Sequence, residues 1–112
     1  MDKVLNINGK DVGFRVTAST PMRYRHRFGR DIFDDLQKIR KEFIKNEGFS
    51  LGSLEAFECL AYTMAKQYDA DIPETPEDWL DEFEFFGIVD IYPDLFELWV
   101  QNEQMTSTPK KK

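Results

Sequence analysis

Apolar positions along the chain change period once. Val4, Leu5 and Ile7, then Val12, Phe14 and Val16, sit in two short runs around Asn8-Gly9-Lys10. Asn-Gly tolerates positive φ at both positions, so the segment predicts a β-hairpin over about 4–16. From Thr20 onward the period is helical. Thr20-Pro21 reads as a cap and a first-turn proline. Gly29 then breaks a run in which Met22, Tyr24 and Phe28 alternate with arginines. After Asp31, the residues Ile32, Leu36, Ile39 and Phe43 form one stripe. Asp34, Asp35, Lys38, Lys41 and Glu42 face water, and Gly48 is the expected stop.

A helix opening at Ser53 carries Leu54, Phe57, Leu60, Ala61, Met64, Ala65 and Tyr68. Its apolar arc is broad enough to place it in the middle of a bundle. Thr75-Pro76-Glu77-Asp78 repeats the cap signature, and Gly87 is expected to interrupt the helix that follows. On a helical wheel started at Ile88, apolar residues through Val100 fill roughly 200°. That is wider than a surface helix needs, unless Pro93 restarts the helix and breaks the wheel. Asn102 onward shows no period, so 103–112 reads as a disordered, lysine-ended tail. The fold class is mainly α (α+β): one small helical bundle over 1–102 with an N-terminal hairpin.

With 112 residues the chain has room for one domain with a real core. No apolar run approaches the length of a membrane span, and the start does not read as a signal peptide. One cysteine, Cys59, excludes an internal disulfide; with one histidine, His26, it does not suffice for a common zinc site. Asp69, Asp71 and Glu74 lack the glycine and terminal glutamate of a calcium loop. Neither a phosphate cradle nor a nucleophile–base pair emerges, so the chain reads as a non-enzyme without cofactor, metal or catalytic residues.

Charge sharpens this picture. Residues 1–49 are net +4 and residues 50–112 net −10, with twelve carboxylates and no Lys or Arg between Gln67 and Gln104. Such a balance argues against nucleic-acid binding. The arginines Arg23, Arg25, Arg27 and Arg30 have three readings. They form helical pairs (Arg27 to Asp31, Arg30 to Asp34), dock on the acidic half, or make a self-association patch (Arg23, Arg27, Arg30) in a homo-oligomer. Sixteen aromatic residues are a rich supply for a chain of 112. Trp79, Phe83, Phe86, Tyr92, Phe96 and Trp99 have two readings: an ordinary core, the commoner case, or a candidate partner-binding surface rimmed by acid. Charge reversal at Trp99 or Phe96 is then expected to weaken binding more than folding.

Three blocks carry a family resemblance: RYRHRFGRDIFDDLQ (23–37), FECLAYTMAKQYD (57–69) and PETPEDWLDEFEFFGIVDIYPDLFELW (73–99). With the Asn-Gly hairpin ahead of them, they resemble the small tail assembly chaperones of long-tailed bacteriophages and prophages of Gram-positive hosts. The resemblance implies a protein of the host cytoplasm, active in tail morphogenesis and absent from the mature virion. It implies binding to the tape measure protein, which is kept soluble, and recruitment of tail tube subunits. In that family a programmed ribosomal frameshift yields a longer form that engages tube protein. This chain would be the short form, and Lys110–Lys112 fits a slippery codon run. Competing readings are a structural tail or head–tail joining protein and an acidic host-directed adaptor or nucleic-acid mimic.

Overall fold

The computed structural model describes the backbone of residues 1–45 and 51–107 and the side chains of 1–42 and 53–101. Strands β1 (Asp2–Ile7) and β2 (Lys10–Arg15) pair antiparallel, with Ile7 opposite Lys10. The two-residue loop between them has positive φ at both Asn8 (55°) and Gly9 (88°). This is the backbone that the Asn-Gly pair favours, and its twist matches the strands. Ile7, Val12, Phe14 and Val16 turn inward and are buried. They rest on helix α3 (Leu51–Tyr68), which supplies the apolar support a lone hairpin needs.

Helix α3 is the hub. Strand β2 and helices α1 (Thr20–Phe28), α2 (Ile32–Lys45), α4 (Pro76–Leu80) and α6 (Tyr92–Ser107) all pack on it. Its Ala56, Phe57, Leu60, Ala61, Tyr62, Met64 and Ala65 are all buried. The expected central helix is therefore the observed one, beginning two residues earlier at Leu51. Ile32, Leu36 and Ile39 form the buried stripe of α2; the side chain of Phe43 and all of Gly48 lie outside the described residues.

Four local expectations are corrected. Ser19, not Thr20, occupies the cap position of α1. Thr20 is buried, and its hydroxyl accepts from the Thr17 amide (2.9 Å) and donates to Gln67 Oε1 (2.7 Å), tying α1 to α3. Asp35 is buried instead of facing water. The break after α4 comes before Gly87, because α5 (Phe85–Asp90) contains that glycine. Helix α6 continues to Ser107, so 103–107 are helical and not a tail; 108–112 lie outside the described residues.

The long apolar wheel also fails, for a geometric reason. Ile91 stands between α5 and α6 with φ −90° and ψ −5°, and Pro93 follows in the first turn of α6. The phase of the wheel is lost at that junction. Ile88, Ile91, Tyr92, Leu95, Leu98 and Trp99 consequently all reach the core.

Candidate functional site

Among the six aromatic residues expected at a partner surface, three are core. Trp79, Tyr92 and Trp99 are 1%, 1% and 4% exposed, so they are not available to a partner. Trp79 meets Phe14, Tyr62 and Phe83 edge-on, and Tyr92 stacks flat on Phe57 at 4.7 Å. Trp99 and the exposed Phe33 ring meet in a T-shaped contact at 6.5 Å. Phe96 is half-buried beneath the Arg40 guanidinium. Phe83 is likewise half-buried against the Trp79 ring, so of the six only Phe86 is exposed, and Phe85 joins it.

Phe85 and Phe86 are 56% and 76% exposed, with rings in edge contact at 5.2 Å. Two adjacent phenylalanines left in water at the start of a helix carry an unrecovered hydrophobic cost. Beside Phe85 a cleft of about 170 Å³ is lined by Glu58, Leu80, Phe83, Phe85, Ile88 and Tyr92. Exposed Asp81, Glu82, Glu84 and Asp90 surround the pair in sequence.

The hairpin fixes this segment in space. Asn8, held at positive φ in the turn, accepts the Glu84 backbone N–H at 3.1 Å. That amide precedes α5, so the turn caps the helix from the other end of the chain. The approach is close enough that a Cβ on Gly87 would stand 2.2 Å from Asn8 Oδ1. Beside it, Lys10 pairs with Glu82 at 2.6 Å and lies over the Phe83 ring. The Asn-Gly signal thus has a second role, setting the position of the exposed phenylalanines.

Glu58 supplies the site's electrostatic feature. Burial pushes its carboxyl pKa up, and the neighbouring Glu55 and Glu77 charges push the same way. A cation delivered into the cleft would offset the repulsion from both neighbouring carboxylates.

The basic residues do not form one patch. Gly29 ends α1 in a left-handed conformation, with its N–H on the Arg25 carbonyl. Arg27 therefore sits on α1 and Asp31 in the connection before α2. Arg30 pairs with Asp35 (2.8 and 3.0 Å) and reaches Glu55 at 3.3 Å, so it is separated from Arg23 and Arg27. Asp35 also accepts the Tyr24 hydroxyl. Burial raises its pKa, but the Arg30 and Tyr24 bonds outweigh burial and leave it lowered. Sequence reading missed this cluster, because its members come from both sides of the Gly29 break.

Cys59 is half-buried, and burial pushes its thiol up to about 11, so it stays protonated at neutral pH. Among the described residues, no group of three His, Cys, Asp or Glu side chains converges as a metal site. No described helix is long and apolar enough to cross a membrane. Comparison with protein-family models, curated proteins and solved structures returns no match.

Proposed function

We propose that this protein is a non-enzymatic assembly chaperone whose Phe85–Phe86 surface covers amphipathic helical segments of a long partner chain. The family resemblance names that partner as a phage tape measure protein, with tail tube subunits recruited through a frameshifted longer form. Action in the host cytoplasm and absence from the finished particle belong to the same reading. The observation that carries it is the pair of exposed phenylalanines, one of which lines a mainly apolar cleft that holds the Glu58 carboxyl. An apolar patch of this kind on a small domain is an interaction surface, or an aggregation hazard if left uncovered.

Chemistry selects the partner's face. Phenylalanines supply contact area, while Glu58 and the surrounding carboxylates favour Lys or Arg beside the partner's apolar stripe. Each copy would contribute modest affinity, and several copies along one chain would bind tightly through effective concentration. No nucleotide is required for release if tube subunits compete for the same stripe.

Co-expression with a tape measure fragment tests the reading. The native chain is expected to keep the fragment in the soluble fraction, and Phe85→Asp/Phe86→Asp to lose that effect while melting at the native temperature. An undiminished soluble yield with the double variant would remove the site from the account. Recovery of the protein in purified particles would instead favour the structural tail component.

A further inference from the structure

A second surface shares no residue with the phenylalanine site. Helices α1 and α3 border an open cleft of about 450 Å³. Each gives one face at i, i+3 and i+4: Arg23, His26 and Arg27 from α1, and Thr63, Lys66 and Gln67 from α3. The cleft is preorganised on the α3 side. Gln67 is clamped by the Thr20 and Thr17 hydroxyls at 2.7 and 2.6 Å, and Thr63 donates to the Cys59 carbonyl. Lys66 spends its three donors on Ala70 O, Ile72 O and Glu74, holding the following loop. It is a wall of the cleft, not its free charge.

The free charge lies on α1. Lys10, Arg15, Arg30, Lys38 and Lys66 each meet a carboxylate. Among the described residues Arg23 and Arg27 meet none; Lys3, Arg25 and Lys41 meet none either, but they lie outside this cleft. Arg23 contacts only the Ser19 hydroxyl, through Nε at 2.9 Å, and Arg27 lies over the Tyr62 ring at 5.2 Å. In a chain with 21 acidic residues and net charge −6, two exposed guanidiniums without a carboxylate on one helix face are conspicuous. Stacking on Tyr62 orients Arg27 and leaves its N–H fork open.

We propose that this cleft docks an acidic α-helical segment of a partner protein, with carboxylates one turn apart meeting Arg23 and Arg27. Residues i and i+4 stand about 6 Å apart on a helix face, so the two arginines match carboxylates at the same spacing on a helix laid alongside. Both walls are helix interiors, whose backbone N–H groups are already bonded, so the cleft offers side-chain forks and no amide cradle for a compact phosphate. The chain's overall negative field disfavours a nucleic acid, whereas a short acidic helix presents only a few charges.

The test is fluorescence anisotropy on the full chain, using a labelled alanine-rich helical peptide with glutamates at i and i+4. Binding is expected, weakening with added salt and falling at least about tenfold in Arg23→Glu/Arg27→Glu. The neutral Arg23→Gln/Arg27→Gln variant is expected to weaken it too, with an unchanged melting curve, and Phe86→Asp to leave it intact. Loss with Phe86→Asp would overturn the proposal by placing the peptide on the other surface. Equal binding of the glutamine peptide, or of one with the same glutamates spaced i and i+2, would overturn it as well. So would undiminished binding by the arginine variants, or tighter arginine-dependent binding of a short single-stranded RNA.

Discussion

Asp35 is the side chain whose loss is predicted to cost most among the polar ones. It is 5% exposed and bonded to both Arg30 and Tyr24. Arg30 keeps partial solvent access and its Glu55 contact. Asp35→Asn weakens the charge-assisted bonds from Arg30 and Tyr24, so it is expected to destabilise by about 1.5–3 kcal/mol in urea unfolding at neutral pH. The pH dependence follows from its lowered native pKa. The pair's stabilisation is complete above the ordinary carboxylate value of 3.8 and is lost as pH falls through the lower native one. The native chain should therefore lose stability in acid more steeply than Asp35→Asn. Glu58 has the opposite sign. Its raised pKa means the folded state holds the proton more tightly, so stability falls as pH rises through the native value. Glu58→Gln is expected to raise the melting temperature at neutral pH and to gain little in acid. Trp99, read from sequence as a contact residue, belongs with the core: Trp99→Ala is expected to cost about 3–5 kcal/mol of stability.

The element that matters most for the candidate site is the two-residue turn. Asn8 supports both its own left-handed backbone and the first amide before α5. Asn8→Ala should cost about 1 kcal/mol, as for other helix caps, and should speed amide exchange at Glu84 more than in α3. Gly87→Ala is expected to displace the same contact, since its Cβ has no room beside Asn8. Much of this architecture was legible in the sequence. Asn-Gly announced the turn, the broad apolar arc announced α3, and Thr75 caps α4 by accepting the Asp78 N–H as its motif indicated. What stayed hidden depends on contacts between elements. A single helical phase carried through Ile91 merged two helices into one wide face, and so turned core aromatics into apparent surface. Asp35 looked solvated because its partners come from beyond Gly29, and Phe85–Phe86 stood out only once their neighbours were seen to be occupied elsewhere.

For the molecule as a whole, the surplus apolar surface is narrower than composition suggested. Among the described residues most aromatic side chains are used internally, and Phe33 and Tyr68 are exposed singly. Phe85 and Phe86 form an adjacent exposed pair at the start of α5, where a hairpin far away in sequence touches the chain. The basic half of the chain is likewise divided, with Arg30 spent on the fold and Arg23 with Arg27 left at a separate cleft. Hydrogen–deuterium exchange of the chain with and without a soluble tape measure segment tests this arrangement most directly. New protection is expected across residues 80–92 in the complex, and none in that stretch when Phe85 and Phe86 are both replaced by Asp. Protection confined to other elements, with residues 80–92 exchanging as in the free protein, would contradict the account.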